Sequence, residues 1–151
     1  MNPPAKDFTE LIAWQLATEL KRQILVLAAR APFARDRKLA DQLIDSAASA
    51  PRNIAEGFGR FNGKDFASFL RIALGSLHET RNNLLDAFDR GYITPEERDR
   101  CVALSRRAVA ATTRLRAYLL SPDNRMSTDR ERRSRSSPRT RTPARPAEPN
   151  S

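Results

Sequence analysis

The 151-residue sequence has one cysteine and one histidine, and these low counts exclude several kinds of protein. A single cysteine, Cys101, cannot form a disulfide framework. His78 and Cys101 fall on different predicted helices, so they offer neither a set of zinc ligands nor a nucleophile with its base. Gly57-Phe58-Gly59 follows a predicted helix, whereas a dinucleotide-binding fingerprint must follow a strand. We therefore expect no enzymatic activity, no cofactor and no metal.

Long apolar runs are also missing. No stretch approaches the roughly 18 apolar residues of a membrane-spanning helix, and the first residues, 1–4, precede a mixed charged segment where a secretory signal would have an apolar one. The alternating β-branched pattern of strands is absent as well. We expect a cytoplasmic, α-helical protein that does not bind membranes.

Residues 121–151 differ in composition from the rest of the chain. They hold five prolines and eight arginines, and their only apolar side chains are Met126, Ala144 and Ala147. Such a segment cannot bury enough surface to offset the entropy cost of ordering it. We predict a folded domain over residues 1–120 followed by a disordered basic tail.

Apolar residues recur at helical spacing in four segments, and each segment predicts one amphipathic helix. The predicted helices run from near Phe8 to about Ala29, from Arg37 to Phe58, from about Lys64 to Arg90, and from Pro95 to Leu120. Ile12 in the first helix and Leu85 in the third are among the positions predicted to be buried. Four such helices with short connections predict an all-α, antiparallel up-down-up-down bundle.

Local signals place three of the helix ends. Gly57 and Gly59 are expected to end the second helix by adopting positive φ, and Gly91 is expected to close the third. Thr94-Pro95-Glu96-Glu97 offers a threonine cap, a proline at the first helical position and a glutamate three residues after the cap. This segment therefore predicts the start of the fourth helix.

The segment 49–60 stands out because a proline, two glycines and three charged residues interrupt sequence that otherwise favours a helix. Pro51 cannot donate a backbone hydrogen bond, so we expect a kink in the second helix. Two interpretations are open for the polar residues of this segment, which are Arg52, Asn53, Glu56 and Arg60. They form a binding surface, or they satisfy backbone groups and pair with one another near the helix end.

This segment resembles a motif of the four-helix bundle proteins encoded by intervening sequences of 23S ribosomal RNA genes. The family pattern reads approximately Ser-Ile-Pro-Ser-Asn-Ile-Ala-Glu-Gly-Phe-Gly-Arg, and the chain matches it at Ser49, at Pro51 and over residues 53–60. Residues 69–79 and 91–93 form two further family-like blocks. Arg52 departs from the pattern by placing a charge where family members often have none.

The resemblance implies a four-helix bundle that forms a homo-oligomer, with a ring-shaped pentamer as the family's assembly. Accessory variability determinant proteins of diversity-generating retroelements look like the same family, and they bind a reverse transcriptase and nucleic acid. The resemblance therefore suggests RNA or DNA, a reverse transcriptase or another protein, and further copies of the chain as partners.

The sequence is basic, with 27 lysines and arginines against 18 acidic residues and a net charge of +9. A positive field favours a polyanionic partner, and nucleic acid is the first candidate. An equally open interpretation is that the arginines reflect the base composition of the genome.

Arg100, Arg107 and Arg114 recur every seven residues on one edge of the fourth predicted helix, about 10 Å apart along its axis. This spacing predicts a track of phosphate contacts, to which Arg52 and Arg60 are further candidates. The alternative is that these are solvated arginines with partners on their own helix, such as Glu96 beside Arg100.

Leu11, Trp14 and Leu25 lie away from the main apolar face of the first helix and predict an interface between copies. The alternative is that Trp14 packs under one end of the bundle or against the N-terminal arm. The sequence thus favours a non-enzymatic homo-oligomer that binds nucleic acid non-specifically. The competing hypothesis is a protein-interaction scaffold whose positive charge serves only solubility or steering.

Overall fold

Four α-helices build the structure, a computed structural model that describes residues 5–122 and 124. They are α1 (Ile12–Ala28), α2 (Arg37–Phe58), α3 (Gly63–Asp89) and α4 (Pro95–Leu119), with short 3-10 turns at Phe8–Glu10 and Phe33–Arg35. The described part of the chain contains no strand, which confirms the all-α class and the four predicted helices. Apart from residues 121, 122 and 124, the predicted disordered tail lies outside the described residues.

The helices pack as an antiparallel bundle in which each contacts two neighbours. α1 and α3 each pack against α2 and α4, so α2 and α4 occupy diagonal corners. Arg30, just past α1, pairs with Glu97 in the first turn of α4, and Ser46 of α2 contacts Thr80 of α3. These contacts fix the up-down arrangement.

The core follows the predicted apolar faces, with two corrections. Ile12 is 65% exposed and Leu85 is 44% exposed, although both were predicted to be buried. Residues four apart on a helix are rotated by about 40°, so Ile12 lies about 120° around α1 from the fully buried Ile24. Leu85 follows the buried Leu84 by one helical step and faces outward.

The predicted first helix is interrupted at its start. Leu11 has extended backbone angles and separates the 3-10 turn Phe8–Glu10 from α1. The side chain of Asp7 accepts a hydrogen bond from the backbone N–H of Thr9 and caps the turn. An aspartate followed two residues later by a threonine favours this local turn over a continuous helix.

The predicted start of α4 and the predicted end of α3 are confirmed. Thr94 Oγ1 accepts from the backbone N–H of Glu97, and the Glu97 carboxylate accepts from the N–H of Thr94, which completes a capping box. Gly91 adopts φ 77° after α3. Its N–H donates to Phe88 and the N–H of Tyr92 donates to Ala87, which is the Schellman pattern of helix ends.

Two glycines of the segment 49–60 act differently from the prediction. Gly57 lies inside α2, and Gly59 caps it with an ordinary right-handed φ of −72°, so neither supplies a positive φ. α2 continues as a helix through the buried Pro51. Gly57 is buried where α2 meets α3, and its missing side chain allows the two helices to approach closely.

Side chains from the α1–α2 connection and the α3–α4 connection are joined at one end of the bundle. The ring of Phe33, between α1 and α2, stacks on that of Tyr92, between α3 and α4, at 5.0 Å. Asp36 accepts hydrogen bonds from the hydroxyl of Tyr92 and from Arg90, each at 2.9 Å. The hydrogen bond from Tyr92 is the main reason that the pKa of Asp36 lies below its ordinary value.

Candidate nucleic-acid interface

The three arginines of the predicted track lie on the exposed edge of α4 that borders α1. Arg100 lines a shallow hollow with Val26 of α1, and Arg114 lines a second hollow with Ile12 near the other end of the same groove. Arg107 is exposed between them. Within residues 5–122 and 124, none of the three makes a hydrogen bond or an ion pair. Their guanidinium groups are therefore available to a ligand.

The pairing of Arg100 with Glu96, which was the alternative to a phosphate track, does not form in the described structure. The neighbouring Glu97 instead pairs with Arg30 at 2.7 Å, and this contact lowers the pKa of Glu97 to about 2. Hydrogen bonding from Arg30 is the largest cause, followed by the backbone N–H of Thr94. Glu97, which lines the same hollow as Arg100, is thus held by Arg30 and by the capping box.

The remainder of α4 carries charge of one sign. After Asp99, the helix has five arginines and no acidic residue up to Leu119. Arg106 faces away from the groove, and Arg116 donates to the backbone oxygen of Ala67 on α3. The positive charge on this helix is therefore not cancelled by neighbours along its own surface.

Arg52 and Arg60, the other predicted nucleic-acid contacts, are not brought to this edge. Both belong to the α2 side of the bundle, and α2 lies diagonally across from α4. Arg60 pairs with Glu56 at 3.0 Å and lies 5.0 Å from the centre of the Phe69 ring. Arg52 is exposed and makes no polar contact within the described residues.

Asn53 takes part in a polar seam between α2 and α3 that the sequence analysis missed. Its amide donates to the backbone oxygen of Ser49 at 2.8 Å, and the Ser49 hydroxyl contacts that of Ser76 at 2.7 Å. Deeper in the interface, the hydroxyl of Thr80 lies 3.0 Å from that of Ser46. Small polar residues recur at helical spacing along this face of the helices. That pattern is the sequence signal that could have predicted the seam.

The predicted oligomer contacts separate into two kinds. Leu11 and Trp14 are half-buried and pack against the core, and the ring of Trp14 meets that of Phe8 edge-on at 5.4 Å. This is the packing against the N-terminal arm that was the alternative interpretation. Leu25 is exposed on α1 and remains open to a second copy.

The described residues offer little for other chemistry. Among them, no group of three or more histidine, cysteine, aspartate or glutamate side chains could hold a metal ion. Cys101 is buried, and burial raises the pKa of its thiol, which disfavours the reactive thiolate. None of the helices in this part of the chain has the length and apolarity needed to cross a membrane.

Comparisons with known proteins agree with this architecture. The model of the 23S rRNA-intervening sequence protein family matches residues 9–112. A solved structure from Bacteroides thetaiotaomicron VPI-5482, described as a protein of unknown function from the S23 ribosomal protein family, has 21% identity and a TM-score of 0.57. The match covers 73% of this chain and 100% of that chain, and at this identity it supports a shared fold alone. No curated protein matches the chain.

Proposed function

The chain belongs to the 23S rRNA-intervening sequence protein family, and we propose that it is a cytoplasmic, non-enzymatic homo-oligomer that binds nucleic acid non-specifically. Arg100, Arg107 and Arg114 make the main phosphate contacts. Arg52 on the opposite side of the bundle and the arginine-rich residues after 121 add to the positive field.

The observation that supports this proposal is the unpaired state of the three arginines on α4. Arg60, by contrast, forms an ion pair with Glu56 on its own helix. The three α4 arginines have no such partner within the described residues, and α4 has no acidic residue after Asp99. Arginines arranged in this way suit phosphates, which accept hydrogen bonds and carry negative charge.

The test compares two variants that carry the same change in charge. Arg107→Glu reverses a charge on the track, and Arg106→Glu reverses the neighbouring charge that faces away from the groove. We expect Arg107→Glu to weaken binding to a labelled RNA or DNA about tenfold at low salt and to reduce the salt dependence by about one phosphate contact. Fluorescence anisotropy across a salt series measures both quantities.

Equal effects of the two variants would show that only the overall charge matters, which would remove the track from the mechanism. Unchanged affinity in Arg107→Glu combined with truncation after residue 122 would reject nucleic-acid binding through these groups altogether. Circular dichroism of each variant establishes that the helices are intact.

Self-association is the second part of the proposal, and Leu25 is its remaining candidate contact. Leu25 is 43% exposed on the surface of α1, where its side chain can pack against a second copy. Light scattering of Leu25→Glu should report a smaller particle than the parent chain. An unchanged mass would place the interface elsewhere.

A protein partner is the alternative function, and Phe61 is the observation that favours it. This residue lies between α2 and α3, is 91% exposed, and makes no aromatic contact within the described residues. A nucleic-acid enzyme such as a reverse transcriptase is the partner class suggested by the resemblance. Loss of a stoichiometric, nuclease-resistant partner in Phe61→Ser would support this alternative, and retention of the partner would refute it.

A further inference from the structure

We infer that the groove between α1 and α4 binds a single strand of nucleic acid in preference to a duplex. This inference rests on the proposed function, and it adds the class of nucleic acid and the residues that contact the bases. The observation that supports it is the set of exposed apolar and aromatic side chains beside the arginine track.

The track ends in an exposed aromatic ring. Tyr118 lies one helical turn after Arg114, so both side chains occupy the same edge of α4. The Tyr118 side chain is 62% exposed and makes no hydrogen bond or ring contact within residues 5–122 and 124. Neither packing nor hydrogen bonding in the bundle accounts for an aromatic residue here, whereas a flat exposed ring can stack on a base.

The α1 side of the groove is apolar at the levels where the α4 side is basic. Ile12 is 65% exposed and lines the hollow that contains Arg114. Val26 is 66% exposed and lines the hollow that contains Arg100. Because the two helices are antiparallel, each exposed aliphatic side chain faces an arginine across the groove.

Two carboxylates on the α1 side of the groove disfavour phosphates there. Glu10 lines the hollow at Arg114 and accepts a hydrogen bond from the backbone N–H of Lys6. Glu19 is seven residues from both Ile12 and Val26 on α1, and it pairs with Arg22 at 3.9 Å. Phosphates are therefore expected on the α4 side of the groove, with bases directed toward α1 and Tyr118.

A single strand fits this arrangement better than a duplex does. A duplex presents its phosphates outward and keeps the faces of its bases stacked inside, so the apolar side of the groove would have nothing to contact. An unpaired strand offers phosphates to arginines and base faces to aromatic or apolar side chains at the same time. Stacking of this kind tolerates any base, which agrees with binding that is not sequence-specific.

The experiment uses the full chain, an oligothymidine and a duplex of equal length, with fluorescence anisotropy at one fixed salt concentration. We expect the oligothymidine to bind more tightly than the duplex. Tyr118→Ala should weaken binding of the oligothymidine about tenfold and leave the duplex affinity unchanged. Tyr118→Phe should restore the affinity because it keeps the ring, and Ile72→Ala is the matched control for an exposed apolar residue on α3.

The outcomes separate this inference from the proposed function. Equal affinity for the two nucleic acids, or a Tyr118→Ala variant that binds the oligothymidine normally, would overturn the inference. If Arg107→Glu still weakens binding of both the oligothymidine and the duplex, the proposed function stands without the preference for a single strand. A change in particle mass of Tyr118→Ala in the absence of nucleic acid would assign the groove to a second copy, which also overturns the inference.

Discussion

Gly57 of α2 faces the ring of Phe66 on α3 so closely that a methyl group at Gly57 would come within 2.7 Å of Phe66 Cδ2. The same methyl group would lie 2.7 Å from Cβ of Phe69. A Cβ atom cannot be moved without moving the backbone, so the two helices would have to separate. We expect Gly57→Ala to destabilise the bundle by about 1–3 kcal/mol, measured by chemical denaturation followed by circular dichroism.

Gly75 provides the matched control because it lies inside α3 with no atom within 4 Å of an added methyl group. Gly75→Ala should stabilise the chain by about 0.5–1 kcal/mol through its better helix propensity. A stabilising effect at Gly57 as well would show that helix propensity, and not close packing, governs both positions.

Two buried threonines should respond in opposite directions to replacement by valine. Thr80 Oγ1 contacts Ser46 and the backbone oxygen of Ser76, so Thr80→Val breaks the polar seam and should cost about 1–2 kcal/mol. Thr18 Oγ1 is buried and has no hydrogen-bond partner among the residues that the structure describes, so Thr18→Val should stabilise by about 1 kcal/mol. Denaturation at matched protein concentration measures both changes, and destabilisation by Thr18→Val would reveal a partner for its hydroxyl.

The ion pair between Arg30 and Glu97 should make stability depend on acidic pH. The folded pKa of Glu97 is about 2 against an ordinary value of 4.5, so the stabilisation is complete above about pH 4.5 and is lost as the pH falls toward 2. Its size is at most about 1 kcal/mol because the Arg30 side chain is half exposed.

Glu97→Gln isolates this effect, since glutamine still completes a capping box but cannot form the ion pair. We expect the variant to be less stable than the parent at neutral pH and to match it near pH 2, as measured by thermal denaturation across a pH series. A difference that stays constant with pH would assign the effect to the cap instead of the charge.

Phe61 holds a left-handed backbone conformation, with φ 54°, that asparagine tolerates better than phenylalanine. Its side chain is almost fully exposed, so little packing is lost on replacement. Phe61→Asn should therefore raise stability by about 0.5–1 kcal/mol. Equal or lower stability in thermal denaturation would show that the ring of Phe61 contributes to the folded state.

The sequence predicts the bundle well because its strongest signals are local. The capping box at Thr94 and the glycine after α3 depend only on neighbouring residues, and both form as expected. Gly57 was assigned the wrong role because its constraint comes from Phe66 on another helix. The prediction that Ile12 is buried was wrong because side chains that repeat every four residues shift gradually around the helix.

The candidate site was predictable in its spacing but not in its surroundings. The seven-residue repeat of Arg100, Arg107 and Arg114 is visible in the sequence. Whether Arg100 pairs with a carboxylate depends in part on Glu97 in the same hollow, which pairs with Arg30 at the end of α1. The position of Arg60 on the α2 side of the bundle, away from the edge that carries the track, depends on which helices share an edge. Helical periodicity alone cannot supply such long-range information.

The arginines near the C-terminal end of α4 also interact with the dipole of their own helix. The partial negative charge at the C-terminal end of a helix attracts cations, so Arg116 in the last turn favours the helix that carries it. A cation at this position therefore adds positive charge to the surface without opposing the electrostatics of the helix that carries it. Substitutions among the exposed arginines of α4 can change the surface charge of this edge while the buried face of the bundle stays the same.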